Sequence, residues 1–328
     1  MPRSCRSLCR KAWKSKTSVD TSTRRVLPFS ALSKRPRAVH GLVIRTSAKV
    51  NWTLEVLSKR NDGYHELSTI LQSVDLWDRL TIEPADAITL VTSDPGLPVD
   101  EGNLVVRAAR LLQTESGVSA GARLHLEKRI PVAAGLGGGS SDAAAALWGL
   151  NRLWKLRWPL KRLQGLGERL GMDVPFFLGK GRAVATGRGE QLKPLPAGGG
   201  YALVLVNPNF PLSTREVYQR VPAGWTAAPA ATTRMLEALR SRSPRRVAAA
   251  LANNLEAVVE PAVPAIARMK AALLAAGALG AVMSGSGPTV FGVARSLDHA
   301  RTIRRRVNRA GWSAWAVRTQ AGSCIRQD

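Results

Sequence analysis

Pro131-Val132-Ala133-Ala134-Gly135-Leu136-Gly137-Gly138-Gly139-Ser140-Ser141-Asp142 runs directly into Ala143–Trp154, and this junction organises the chain. Four glycines within residues 135–139 give the backbone access to φ > 0 and remove the Cβ atoms that would block close approach to a ligand. Ala143–Leu147 are strong helix formers, and Leu150, Leu153 and Trp154 continue an apolar face, so a helix is predicted over 143–154. A glycine loop feeding a helix N-terminus presents free N–H groups and the positive end of the helix dipole, which suits phosphate. Polyglycine alone fits a flexible turn before a buried helix equally well. The attached Ser140-Ser141-Asp142 favours a site, since these side chains cap helices or reach metals.

The loop matches neither common nucleotide fingerprint. It lacks the Lys-Ser/Thr ending of a P-loop and has no ribose-binding acid placed as in a Rossmann unit.

A chain of 328 residues with 45% apolar content has room for two domains and a substantial core. Cys5, Cys9 and Cys324 form no disulfide framework or spaced metal set, which fits a reducing compartment. No apolar run reaches the length of a membrane span. The net charge of +25 raises nucleic-acid binding as an alternative, but eleven Lys/Arg against the single acid Asp20 fall within residues 1–40. The remaining surplus suits anionic small molecules, and 5% aromatic content without basic–aromatic interleaving argues against a single-strand platform. Residues 1–40 read as a disordered basic leader, either an organelle transit peptide or the product of an upstream start codon; Pro28 and Pro36 favour the second.

Along the body, Leu42–Arg45 and Val50–Val56 are predicted strands; Lys49 and Asn51 share the face opposite Val50, Trp52, Leu54 and Val56. Asp62-Gly63 marks a tight turn, and Ser68–Val74 and Leu80–Val91 hold further strands. Asn103 is the expected N-cap of a helix over 104–112, and Ala122–Leu126 a strand leading to the glycine loop. Leu160–Leu170 is helical and ends at Gly171. Asp173 follows amid Met172, Val174, Pro175, Phe176 and Phe177, a setting in which an unpaired carboxylate is costly to bury. Ala183–Ala185 is a short strand, and Ala197–Gly200 is the expected interdomain joint. The second half reads as a strand at 201–206, a short helix capped by Ser213 or Thr214, and helices at 235–240, 247–258 and 263–276. A glycine turn, Ser284-Gly285-Ser286-Gly287, then precedes a strand, a basic helix over 298–310 and a last strand at 315–317.

The loop resembles the phosphate loop of the GHMP kinase superfamily. Three further segments extend the likeness to its diphosphocytidyl-methylerythritol kinases: Ala48-Lys49-Val50-Asn51 with Arg60–Leu67, Gly171–Phe177, and Ser284–Gly287. Ala134, where glycine is common, and Trp52, where leucine is common, are the departures. The resemblance implies an α+β, two-domain GHMP kinase fold after the leader at 1–40. An S5-like N-terminal domain over 41–196 would face a ferredoxin-like C-terminal domain over 197–328 across a cleft. It implies ATP and Mg²⁺ as cofactors, with Pro131, Gly135, Leu136, Gly137, Gly138, Gly139, Ser140 and Ser141 around the ATP phosphates, and Ser140 or Ser141 reaching Mg²⁺. Asp173 would be the general base or the group that orients the substrate hydroxyl, and Lys49 would hold it ionised. An aspartate of ordinary pKa, about 3.9, is a weak base toward an alcohol, so positioning with late proton transfer is the better expectation. Tyr64, His65 and Tyr218 would frame a cytosine, Asn51 and Thr214 would contact the polar tail, and Gly285, Ser286 and Gly287 would approach phosphates or substrate. No residue set is assigned to a protein-held metal. The implied partner is a small molecule, a cytidine diphosphate ester of methylerythritol, with no specific nucleic acid and no membrane. The expected state is a monomer or weak homodimer in a bacterial cytoplasm, or a plastid if the leader is a transit peptide.

Overall fold

The structure is a computed structural model and describes residues 41–196, 200–227, 229–308 and 311–328. The basic leader and the Ala197–Gly199 part of the expected joint lie outside the described residues.

In chain order, a long hairpin of β1 (Leu42–Lys59) and β2 (His65–Ala85) leads to β3 (Thr89–Thr92), α1 (Leu104–Ser116) and β4 (Gly121–Glu127). Next come α2 (Gly138–Leu153), α3 (Leu160–Leu170), α4 (Val174–Phe177), β5 (Arg182–Gly187) and β6 (Gln191–Pro194). The second half holds β7 (Ala202–Asn207), α5 (Thr214–Gln219), α6 (Ala230–Arg240), α7 (Pro244–Ala249), β8 (Ala252–Asn253), α8 (Glu256–Val259) and α9 (Ala265–Ala275). It ends with β9 (Ala281–Met283), β10 (Val290–Ala294), α10 (Leu297–Val307), β11 (Ser313–Arg318) and β12 (Ile325–Gln327).

The hairpin replaces four predicted short strands with two long ones. Thr46, Ser47 and Ala48 interrupt the apolar pattern, yet all three are buried and their backbone stays in the ladder with β2. A strand buried on both faces loses its alternation, which is why its length was hidden. β4 and β5 flank different halves of β2, while β8 and β12 flank β1, so one sheet draws strands from both ends of the sequence. Helices α1 to α4 supply buried side chains to the core on that sheet. Asn103 caps α1 as expected, its Oδ1 accepting from Val105 N at 3.0 Å.

The second sheet has the order β11-β7-β10-β9, all neighbours antiparallel. With helices between its first and second strands and between its third and fourth, it is the expected ferredoxin-like arrangement. Trp52 joins the sheets: fully buried on β1, its ring meets Tyr201 at 5.6 Å and Phe291 at 5.8 Å edge to face. The predicted helix over 247–258 is broken into α7, β8 and α8, because Asn253 leaves helical geometry to bridge other segments. No helix among the described residues is long and apolar enough to cross a membrane.

Candidate active site

The glycine run does not end where its helix begins. α2 starts at Gly138, five residues before the predicted Ala143, so the last glycines are the helix's first turn. Ser141 N already bonds back to Gly137 O at 2.9 Å, which leaves the N–H groups of Gly138, Gly139 and Ser140 as the free donors of the helix end. Gly137 precedes them in the left-handed region at φ 71°, and no side chain caps the helix, so of the two roles expected of Ser140-Ser141-Asp142, capping or reaching a metal, capping is not taken. Two glycines are sterically required. A Cβ on Gly135 (φ 74°) would lie 2.1 Å from Ser284 O, and one on Gly137 would lie 2.8 Å from Phe177 Cζ and 3.1 Å from Lys49 Cγ. Gly135→Ala should therefore lower unfolding free energy by about 2 kcal/mol, from the φ penalty and the displaced Ser284 turn. Urea unfolding reads this directly, and wild-type stability would show that the two turns can separate freely.

β1 brings Lys49 to this helix end. Its backbone N donates to Leu136 O at 2.9 Å, and its ammonium, 5% exposed, donates to Asn51 Oδ1 at 2.8 Å and lies 3.4 Å from Asp173 Oδ2. Asn51 in turn donates to Thr69 Oγ1 at 2.8 Å, which fixes its amide with the oxygen toward the lysine. Asp173 occupies the position just before α4 but its side chain caps nothing. A turn closed by Val174 N to Gly171 O at 3.1 Å and four buried residues behind it hold the carboxylate, 34% exposed, at the cleft. Lys49 and Asp173 thus meet at the mouth of the glycine turn.

The cleft has a volume of about 1020 Å³. Of the expected phosphate-side residues, Pro131, Gly135, Gly137, Gly138, Gly139 and Ser140 line it. Leu136 and Ser141 do not. Leu136 is a core side chain, and Ser141, fully buried, donates to Ser47 O at 2.6 Å and pairs with Thr46 Oγ1. Ser140 keeps its hydroxyl at the cleft without a hydrogen bond to any described residue. Asp142 also points inward, to a buried cluster with Lys128 and Asp78.

Asn51, Tyr64, His65, Thr214, Tyr218 and Ser286 also line the cleft. The His65 and Tyr218 rings lie 5.4 Å apart, tilted by 35°. Burial, reinforced by Lys59, lowers the His65 pKa, so its imidazole is neutral at pH 7, with one donor and one acceptor nitrogen. Burial and then the Asp173 charge push the Tyr218 phenol up, leaving it protonated. Thr214 Oγ1 and Ser286 Oγ are 2.8 Å apart, tying α5 to the second glycine turn.

Gly285 and Gly287 do not line the cleft; their turn supports it from behind. Ser284 Oγ donates to Gly135 O at 3.0 Å, and a Cβ on Gly285 would be 3.2 Å from Lys49 Nζ. Asn253, expected only as part of a helix and not as a site residue, holds this turn by donating to Met283 O at 2.9 Å and Gly285 O at 2.8 Å. Its signal was a pair of amides, Asn253-Asn254, inside an alanine-rich segment. Lys59, Arg188 and Arg215 are further cleft residues missed, since single cations on polar turns carry no pattern. Among the described residues no group of three or more His, Cys, Asp or Glu is placed to hold a metal.

Helix-end donors, a desolvated ammonium and an uncapped carboxylate form a set with the chemistry to stabilise phosphate charge and to accept a proton. Two family models match the chain: the GHMP kinases N terminal domain over residues 103–181 and the GHMP kinases C terminal domain over 235–313. The chain is 47% identical over 274 residues to a 4-diphosphocytidyl-2-C-methyl-D-erythritol kinase of Pelotomaculum thermopropionicum, covering 83% of this chain and 96% of the relative. It is 46% identical over 265 residues to the kinase of the same name from Gloeobacter violaceus, covering 79% and 88%. A crystal structure of 4-(cytidine 5'-diphospho)-2C-methyl-D-erythritol kinase superposes with a TM-score of 0.72 at 38% identity, over 85% of this chain and 100% of the other. A homoserine kinase from Cytophaga hutchinsonii, at 19% identity and TM-score 0.69 over 92% and 100%, shares the fold. On this footing the chain belongs to the 4-diphosphocytidyl-2-C-methyl-D-erythritol kinases, within the GHMP kinases.

Proposed function

We propose that Lys49 and Asp173 are the catalytic pair of an ATP-dependent kinase that phosphorylates the 2-hydroxyl of 4-diphosphocytidyl-2-C-methyl-D-erythritol, giving the 2-phosphate and ADP for non-mevalonate isoprenoid precursor synthesis. The observation that carries this is the 3.4 Å approach of the Lys49 ammonium to the Asp173 carboxylate beside the free N–H groups of α2.

Phosphoryl transfer depends on positioning and on neutralising charge over the transferred group. The N–H groups of Gly138, Gly139 and Ser140 hold the ATP phosphates. Asp173 orients the substrate hydroxyl and accepts its proton as the new P–O bond forms. Lys49, almost cut off from water, holds the Asp173 carboxylate by its charge and balances charge on the transferred group, where low local dielectric strengthens both effects. Asn51 fixes the lysine and reaches the polar tail of the substrate with Thr214. Tyr64 and Tyr218 stack on the cytosine while neutral His65 pairs with its edge. The unpartnered Ser140 hydroxyl and the lack of a carboxylate cage among the described residues fit a cation carried chiefly by phosphates, so Ser140 would hold Mg²⁺. When bound, that ion supplies neutralisation of phosphate charge.

This reading includes a cytoplasmic monomer or weak homodimer acting on a small molecule. An ADP-release assay offering the cytidine diphosphate ester, mevalonate and homoserine in parallel tests it. Turnover of the first at least a hundredfold above the others is expected; preference for either other alcohol overturns it.

A further inference from the structure

The cleft holds a cation that the reaction above does not use. Arg188 sits at the turn between β5 and β6, flanked by Gly187 at φ 69° and Gly189 at φ 110°. The turn is held firmly: Gly189 N donates to Thr186 O at 3.1 Å, Arg188 N to Glu190 Oε2 at 2.7 Å, and Gly187 N to Glu66 Oε1 at 3.1 Å. Glu66 also accepts from Arg60 at 2.5 Å, and Arg60 meets Asp62 at 3.1 Å. One carboxylate thereby joins the β5–β6 turn to the β1–β2 turn that carries Tyr64.

Tyr64 is 51% exposed at the tip of that second turn. Its one ring contact among the described residues is Arg188, whose guanidinium carbon lies 5.0 Å from the ring centroid. A planar guanidinium on an aromatic face is attracted by the ring quadrupole and restricts the ring's motion. An aromatic wall gains most from stacking when it is already immobile, because no rotamer freedom is then lost on binding.

We propose that Arg188 is a specificity-determining positioning residue. It backs one face of Tyr64, so that the opposite face forms a preset wall for the pyrimidine ring of the substrate. The inference rests on the functional reading above and deepens it at the base-recognising end. Arg188 acts through Tyr64 rather than on the diphosphate, and so it affects recognition of the base whether or not phosphates are attached.

The test uses Arg188→Ala and Arg188→Lys in the full chain, each first checked for an unchanged melting temperature. Calorimetric titration with cytidine and with cytidine 5'-diphosphate is combined with steady-state kinetics. Arg188→Ala should weaken both ligands equally, by about five-fold, and raise KM for the cytidine substrate by a similar factor. kcat and KM for ATP should stay unchanged, and Arg188→Lys, which keeps a cation over the ring, should recover part of the loss. Weakening confined to the diphosphate would assign Arg188 to phosphate binding and overturn the proposal. Tighter binding in Arg188→Ala would mean that the guanidinium occupies the base position, and unchanged binding that it does nothing there; both overturn it. A wild type that turns over the substrate while Arg188→Ala matches it sinks this inference alone. A wild type that neither turns over the cytidine substrate nor binds cytidine removes the functional reading and this inference together.

Discussion

Asp173→Asn should cut kcat by about 10²- to 10⁴-fold while KM for ATP changes little. The substitution keeps the size of the side chain and its place before α4, where it makes no capping bond that could be lost. What disappears is the ability to take a proton and the negative charge opposite Lys49. The nearly buried ammonium then faces a neutral amide, and the substrate hydroxyl loses its acceptor. Lys49→Met should fall in the same range, because stabilisation of charge in a dry site is worth about as much as proton transfer. The double variant should be only slightly worse than either single one, since the two groups act as a unit. Rapid-mix kinetics with the cytidine substrate reads all three. An Asp173→Asn enzyme retaining more than about a tenth of wild-type kcat would falsify its role as acceptor.

Lys128→Met should destabilise the fold by about 3–5 kcal/mol. Lys128, Asp78 and Asp142 are almost completely shielded from water behind the first turn of α2. The ammonium contacts Asp78 and lies 2.7 Å from Asp142 Oδ2, while Asp78 Oδ1 also accepts the N–H groups of Arg129 at 2.6 Å and Ile130 at 2.9 Å. Burial pushes Asp142 up to about 8 against the pull of Lys128, with Asp78 adding to the rise. Methionine fills the lysine's volume but leaves two carboxyl groups facing each other without a cation. Urea unfolding measures the loss. Adding Asp142→Asn to Lys128→Met should restore part of it at alkaline pH, where the Asp142 carboxyl would otherwise ionise beside Asp78. A single-variant loss below about 1 kcal/mol would show that the two acids share a proton and need no ammonium.

Much of this architecture could be read from residue order. Lys49 and Asn51 were placed on one strand face by alternation, and the structure joins their side chains at 2.8 Å. Asn103, Gly171 and Ser213 ended or capped helices as local chemistry requires. The helix start inside the glycine run was hidden because glycine's low propensity argues against helix, and the close approach of Phe177 that excludes a Cβ at Gly137 is visible only in the fold. The cluster of Lys128 with Asp78 and Asp142 was hidden because each is an ordinary charged residue in sequence, and only folding brings them together. Ser140 and Ser141 are adjacent and chemically identical; helix geometry alone turns one to the cleft and the other toward Ser47. β12 is three residues long, too short for any periodicity.

That last strand sets a timetable for the polypeptide's birth. Arg45 on β1 is held by Asp328, a partner 283 positions downstream, and Ser47 N is satisfied by the carbonyl of Cys324. At about 5–20 residues per second, a ribosome needs roughly fifteen to sixty seconds to travel between them. Throughout that interval the outer edge of the first strand emerges unpaired, an invitation to neighbouring nascent chains. Residues 42–47 should therefore stay open to chaperones during translation and become protected once 324–328 have emerged, an order that crosslinking of stalled nascent chains would reveal.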